Sequence, residues 1–117
     1  MAGQEGSHMP IAWSEKVRTR IGVKGHFCAA HRGPDGQMHG HTWTVRAWFE
    51  TPHRVDARCY KAALHNLLSA WDHTVLSDEM AWGEDIAAAV LALCNCVRVE
   101  VMRPTEGFYA DLERVAA

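Results

Sequence analysis

The stretch from His41 to Thr51 reads His-Thr-Trp-Thr-Val-Arg-Ala-Trp-Phe-Glu-Thr and is the clearest alternating segment of the chain. Because successive side chains of a β-strand point to opposite faces of the sheet, the alternation predicts a strand with one buried face. The residues predicted to share one face are His41, Trp43, Val45, Ala47 and Phe49. The opposite face carries Thr42, Thr44, Arg46 and Trp48.

A second extended segment precedes this strand, and a turn joins the two. Glu15 to Ala29 carries β-branched residues at alternate positions in its first half, which predicts a strand, and Gly22 and Gly25 within it indicate a bulge or bend. Arg32 to Gln37, Arg-Gly-Pro-Asp-Gly-Gln, has the composition of a turn. We therefore expect a hairpin.

Two helices and another pair of strands follow the hairpin. Apolar residues at helical spacing predict one helix from Asp56, as N-cap, to about Ala70 and a second from about Glu84 to Cys94. Val97 to Met102 alternates as a third strand, and Gly107 to Val115 is predicted as a fourth. The order β-β-α-α-β-β predicts an α+β fold, with a four-stranded antiparallel sheet and both helices on one face.

Length and charge limit the domain count and the partners. Gly6-Ser7-His8-Met9 resembles an expression-vector remnant, so residues 1–9 are interpreted as a tag or disordered leader and residues 10–117 as a single domain. A formal charge of -2 argues against nucleic-acid or membrane-surface partners. The longest apolar run, Ile86 to Cys94, is too short to cross a bilayer. We expect a soluble, cytoplasmic protein.

Histidine is unusually frequent, with eight residues in 117. His39 and His41 are two positions apart at the start of the alternating strand, so both rings project from one face, and His31 can fold back towards them across the turn. Taken alone, the pair also suits a polar strand edge. Three imidazoles that leave a fourth position open are typical of catalytic zinc. The pattern predicts a Zn²⁺ site at His31, His39 and His41.

Three short segments carry a family resemblance. They are Phe27-Cys28-Ala29-Ala30-His31, His39-Gly40-His41-Thr42-Trp43 and Trp71-Asp72-His73. In this order they resemble the 6-pyruvoyltetrahydropterin synthase and 6-carboxy-tetrahydropterin synthase family, over roughly residues 23–112. The resemblance implies the tunnelling fold, in which sheets of several subunits assemble into a barrel. It also implies a trimer or hexamer, with active sites for a small-molecule substrate between subunits.

The resemblance further implies roles for the site residues. Zn²⁺ on the three histidines polarises substrate hydroxyl and carbonyl oxygens and stabilises the enolate-like charge formed when a carbon-bound proton leaves. Asp72 and His73 correspond to an acid–base pair, in which the carboxylate orients the imidazole. Without the zinc motif, the same two residues also suit a helix end and a polar surface position.

Two groups that the family uses are replaced in this chain. The catalytic Cys four residues before the His-Gly-His segment is replaced by Asp35, which either acts as a base or completes the turn. The four cysteines lie elsewhere and are interpreted as reduced thiols, mainly in packing positions. The glutamate that binds the pterin ring edge is replaced by Met102, with Glu100 and Glu106 as the nearest carboxylates. Trp43, Trp48, Trp82 and Met102 are expected to line an apolar pocket.

These replacements predict a zinc-dependent lyase or cyclase whose small substrate is carbonyl-bearing or heterocyclic and need not be a pterin. The chemistry expected is retro-aldol cleavage, its aldol-type reverse or a cyclising condensation. Two alternatives stay open. One is conventional 6-carboxy-tetrahydropterin synthase-like activity, and the other is a non-catalytic, zinc-containing ligand-binding module.

Overall fold

The computed structural model describes residues 17–52 and 54–115. The predicted leader and the first two residues of the strand predicted from Glu15 lie outside these ranges. The elements, in chain order, are β1 (Thr19–Arg32), β2 (Met38–Thr51), α1 (Arg58–Ser69), β3 (Thr74–Val75), a 3₁₀ turn (Asp78–Met80), α2 (Gly83–Leu93), β4 (Arg98–Arg103) and β5 (Phe108–Glu113). The α+β class predicted from the sequence is confirmed.

The strands form one sheet in the order β3-β1-β2-β4-β5. The four long strands pair antiparallel, as predicted, through β1–β2, β2–β4 and β4–β5. The fifth strand was not predicted: β3 pairs parallel with Ala29 and Ala30 at the outer edge of β1. A two-residue strand is too short to carry an alternating pattern, so its pairing depends on the fold around it.

The β1–β2 hairpin extends further towards its turn than predicted. β1 continues to Arg32 rather than Ala29, and β2 begins at Met38 rather than His41. The backbone N–H of Gly33 donates to the Gln37 carbonyl at 2.9 Å and closes the turn. Because of this extension, all three predicted zinc ligands lie within paired strands rather than in a loop.

The core lies between the helices and one face of the sheet. Its buried side chains from β1, β2, β4 and the two helices include Phe27, Trp43, Val45, Ala47, Leu64, Leu68, Ile86, Val90, Val99 and Val101. Each fully buried large aliphatic or aromatic side chain contributes about 1.5–3 kcal/mol relative to an exposed one. The core therefore fixes the sheet beneath the helices, and the pocket described below opens beyond Trp43.

Two details of the helices and cysteines differ from prediction. α1 has Ala57 rather than Asp56 at its N-cap position, although Asp56 Oδ1 still accepts the Arg58 N–H at 3.0 Å. The four cysteines are free, as predicted, but Cys59 is exposed and therefore does not pack in the core. Burial raises the pKa of the Cys96 thiol to about 11.

Within residues 17–52 and 54–115, no helix has the length and apolar character needed to span a membrane.

Candidate functional site

His31, His39 and His41 meet at the turn end of the β1–β2 hairpin. His31 pairs with His39, and Ala29 pairs with His41, across the two strands. Cross-strand partners share a face, so all three rings lie on the side of the sheet that faces the helices. The ring centroids are 4.8 Å apart for His31–His41, 6.1 Å for His39–His41 and 6.2 Å for His31–His39.

His31 and His41 are oriented through their Nδ1 atoms. His31 is buried, and its Nδ1 lies 2.5 Å from the carbonyl oxygen of Ala81, just before α2. Because a carbonyl can only accept, His31 Nδ1 carries the proton and Nε2 presents a lone pair. Nδ1 of His41 lies 3.4 Å from Oε1 of Glu106. Carbonyl and carboxylate partners of this kind orient metal-binding histidines in many proteins.

The two Nε2 atoms point at one cation, the guanidinium of Arg103. Its Nη1 lies 2.9 Å from Nε2 of His41 and 3.4 Å from Nε2 of His31. Since a guanidinium has only donors, both imidazole nitrogens accept. Burial first, and then the charge of Arg103, lowers the pKa of His41. His41 is therefore held in the neutral form that can accept a hydrogen bond or bind a metal.

His39 is held by the turn. Its Nε2 lies 3.1 Å from both carboxylate oxygens of Asp35. Asp35 Oδ1 also accepts the backbone N–H of Gln37 at 2.9 Å. This backbone hydrogen bond, followed by the contact with His39, lowers the pKa of Asp35. Asp35 thus completes the turn and touches a predicted zinc ligand at the same time.

A pocket of about 650 Å³ opens beside the histidines. Its apolar lining includes Trp43, Trp82, Met102, Phe108 and Tyr109. Trp82, Phe108 and Tyr109 are largely exposed, so their side chains form the outer part of the wall. Sequence reasoning missed Arg103, Phe108 and Tyr109. The alternation of Val99 and Val101 in β4 does place Arg103 on the pocket side and could have revealed it.

The predicted substrate residues fall in different places. Trp43 is buried beneath His31 and His41, edge-on to both rings. Met102 borders the pocket, and Glu106 lies beside it through contacts with His41 and Arg103. Glu100 is opposite Arg46 in the β2–β4 register and contacts it at 3.5 Å, and it does not line the pocket.

Asp72 and His73 form a contact with each other, away from the large pocket. Nδ1 of His73 lies 2.9 Å from Oδ2 of Asp72, and Oδ1 of Asp72 accepts the Cys28 N–H at 2.8 Å. The Cys28 hydrogen bond is the main cause of the lowered pKa of Asp72. His73 has φ 59° and a side chain that is 82% exposed. It borders a separate hollow of about 400 Å³, which His41 also borders.

The family model described as 6-pyruvoyl tetrahydropterin synthase matches residues 20–116. This chain belongs to the 6-pyruvoyl tetrahydropterin synthase family. The solved structure of the Caenorhabditis elegans 6-pyruvoyl tetrahydropterin synthase is similar, with a TM-score of 0.69 and 13% identity over 85% of this chain and 97% of that one. At this identity the similarity shows the fold alone, which confirms the tunnelling fold. No curated protein matches the chain significantly.

The family consists of lyases that are zinc-dependent in general. In this member, no group of three or more His, Cys, Asp or Glu side chains within the described ranges is arranged to hold a metal. The donor chemistry nevertheless fits a divalent cation, because neutral Nε2 atoms of His31 and His41 already converge on a positive group. Ligation by all three histidines requires Arg103 and Asp35 to release the Nε2 atoms they now contact.

Proposed function

We propose that this member of the family is a zinc-dependent lyase or cyclase that acts on a small carbonyl-bearing or heterocyclic substrate. The observation that carries the proposal is the convergence of the His31 and His41 Nε2 atoms on one cationic group beside a 650 Å³ pocket. A position that two neutral imidazoles surround, and that a cation occupies, suits a divalent metal.

His31, His39 and His41 are the residues that would hold zinc. Bound there, zinc supplies Lewis-acid polarisation of a substrate oxygen. The Ala81 carbonyl fixes the tautomer of His31, and burial keeps His41 neutral. Asp35, a carboxylate that contacts His39 and borders the pocket, is the residue proposed to accept a proton from substrate.

Asp72 and His73 are proposed to move protons. Asp72 accepts from Nδ1 of His73, which leaves Nε2 of His73 free to take or give a proton. His73 does not border the large pocket of its own chain, and most of its side chain is exposed. We therefore place this pair against the pocket of a neighbouring subunit in a trimer or hexamer, as family members are oligomers in general.

The pocket lining supports a substrate that need not be a pterin. Met102 offers no acceptor for the amino-pyrimidine edge of a pterin, and Glu100 contacts Arg46 outside the pocket. Glu106 is already in contact with His41 and Arg103. The rest of the lining contains the carboxylates Asp35 and Glu84 and the aromatic side chains of Trp82, Phe108 and Tyr109. A planar substrate can stack on these aromatic rings while its carbonyl group faces the histidines.

The first experiment measures zinc binding. Protein stripped with a chelator is titrated with Zn²⁺ in competition with a chromophoric chelator, and we expect one ion per chain. His31→Ala should lower the affinity by about 100-fold or more. His65→Ala, which removes an exposed histidine of α1, is the matched control and should leave it unchanged. Wild-type protein that binds no zinc would contradict the proposal.

The second experiment tests the reaction class. Zinc-loaded protein is incubated with dihydroneopterin triphosphate and, separately, with smaller aromatic aldehydes and ketones, and products are identified by mass spectrometry. The proposal expects turnover of at least one carbonyl compound. Turnover of dihydroneopterin triphosphate alone would establish the conventional activity instead.

A further inference from the structure

Arg103 is the one Lys or Arg side chain among the described residues that line the large pocket. It ends β4, and its side chain is 19% exposed, so most of the guanidinium is shielded from water. The other formal charges in the lining belong to acidic residues, Asp35 and Glu84. Among the described residues of the lining, Arg103 is therefore the only side chain whose positive charge does not depend on pH near neutrality.

The guanidinium is incompletely paired. Of its five N–H groups, those on Nη1 face the two imidazoles, and Nε lies 3.4 Å from Glu106. Within the part of the chain that the structure describes, Nη2 has no hydrogen-bond partner recorded. A shielded cation with neutral acceptors, one distant carboxylate and an unpaired NH₂ group favours an additional anionic partner.

Arg98, on the same strand, shows what an arginine with a bidentate carboxylate partner looks like in this protein. Its Nε and Nη2 donate to the two oxygens of Asp111 at 3.0 and 2.8 Å, and its guanidinium lies 4.4 Å from the Trp48 ring centroid. Arg103 also lies over aromatic rings, 4.9 Å from Phe108 and 5.5 Å from Trp43. It lacks the forked carboxylate contact.

We propose that Arg103 binds an oxyanion group, a carboxylate or a phosphate, carried by an aromatic or heteroaromatic substrate. The inference rests on the proposed function in that it takes the large pocket as the reaction site. The aromatic walls hold the ring, and the guanidinium binds the anionic substituent. If a metal were held by the histidine cluster, Nη1 would lose its imidazole acceptors. Nη1 and Nη2 would then be an adjacent pair of donors, which suits bidentate binding.

The test compares three probes with one ring and different substituents: benzoate, phenyl phosphate and neutral benzamide. Affinities are measured by calorimetry on zinc-loaded and zinc-free wild type, Arg103→Met, Arg103→Lys and the control Arg98→Met. Wild type should bind at least one of the anions about 10-fold or more tightly than benzamide. Arg103→Met should abolish the preference, Arg103→Lys should weaken it, and Arg98→Met should keep it. The tighter anion identifies the substituent.

Equal affinity of wild type for anionic and neutral probes, or an unchanged preference in Arg103→Met, would overturn the inference. Circular dichroism checks folding. If Arg103→Met does not fold, Arg103→Lys decides, since an undiminished preference in that variant also overturns the inference. Zinc affinity is measured on the same samples. Anion preference without zinc binding rejects the proposed function, whereas zinc binding without anion preference rejects only the role of Arg103.

Discussion

Two polar clusters of this molecule contain histidine next to a carboxylate, and they are built in opposite ways. The pocket cluster comprises His31, His39, His41, Arg103 and Glu106. Its central members His31, His41 and Arg103 are largely shielded, and contacts from several elements hold it together. The edge pair, Asp72 and His73, lies at the outer edge of β1 with an exposed imidazole. One chain thus encloses the guanidinium of Arg103 between imidazoles but turns the His73 imidazole outward.

The difference follows from how each cluster is attached. Strand register places the pocket rings opposite one another, and the Ala81 carbonyl, 50 residues away in sequence, fixes His31. The edge pair is attached to β1 by the contacts between Asp72, His73 and the Cys28 backbone. Under the proposed function, a second copy of the chain would bring its edge pair to the pocket cluster.

The largest expected effect is a loss of turnover that distinguishes the role of the edge pair from that of the pocket cluster. Asp72→Asn and His73→Gln should each lower the turnover of whichever carbonyl substrate the wild type converts by about 10²-fold, because they remove proton transfer. Zinc affinity should stay unchanged, whereas His31→Ala should lose both. The measurements are steady-state rates and chelator competition.

Asp78→Asn, an exposed acidic residue of the 3₁₀ turn, is the control for both substitutions. Full turnover in Asp72→Asn would mean that the edge pair has no part in the reaction. Loss of zinc binding in the same variant would mean that the two clusters are not separate.

The second-largest effect tests whether the pocket cluster of one chain and the edge pair of another chain form one reaction site. His31→Ala and Asp72→Asn should each retain at most about one hundredth of the wild-type rate when assayed alone. Because some mixed sites then contain an intact pocket cluster and an intact edge pair, oligomers reassembled from both variants should regain part of the wild-type rate. Mixing His31→Ala with His41→Ala is the control and should restore nothing, since every pocket cluster is then damaged. No recovery in the first mixture, with assembly verified by sedimentation, contradicts a shared site.

Much of the pocket cluster could be predicted from the sequence because it depends on local pattern. The alternation through Trp43 determined the face, and the His-Gly-His spacing put two rings on it. Arg103 is absent from the predicted site residues because a single arginine forms no motif. Its position after Val99 and Val101 in β4 nevertheless places it on the same face of the sheet as these two residues. Nothing in the chain's pattern predicts the Ala81 contact with His31, since this contact depends on where the segment before α2 packs.

The edge pair shows more clearly what the sequence alone does not predict. The motif identified Asp72 and His73, yet their location depends on β3, a two-residue strand without a pattern of its own. His73 also has a left-handed backbone, with φ 59°, which is uncommon for a non-glycine residue and which no pattern in the sequence predicts. Sequence could therefore name these residues but could not say which cavity they border.

A smaller effect is expected at Gly33, where the turn touches the pocket cluster. A Cβ atom there would lie 2.9 Å from Cδ2 and 3.2 Å from Nε2 of His39, so Gly33→Ala should displace that ring. We expect zinc affinity to fall by about 10-fold. Gly40→Ala is the matched control, because a Cβ at Gly40 meets no atom within 4 Å. Equal affinities in the two variants would exclude His39 as a ligand.

The smallest effect is a pH dependence of stability at the edge pair. The hydrogen bond from the Cys28 N–H, and then the contact with His73, lowers the pKa of Asp72 below its ordinary value. A carboxylate whose pKa is lower in the folded state stabilises the fold above its unfolded pKa, and this contribution is lost as the pH falls through the folded value. Thermal unfolding of metal-free protein between pH 6 and pH 2 should therefore show a steeper loss of stability with falling pH in wild type than in Asp72→Asn.

Because His73 is exposed, water screens its ion pair with Asp72, so the backbone hydrogen bond should account for most of the difference. His73→Gln should accordingly keep most of the wild-type dependence of thermal stability on pH. If its pH dependence instead equals that of Asp72→Asn, the ion pair and not the backbone hydrogen bond is the cause.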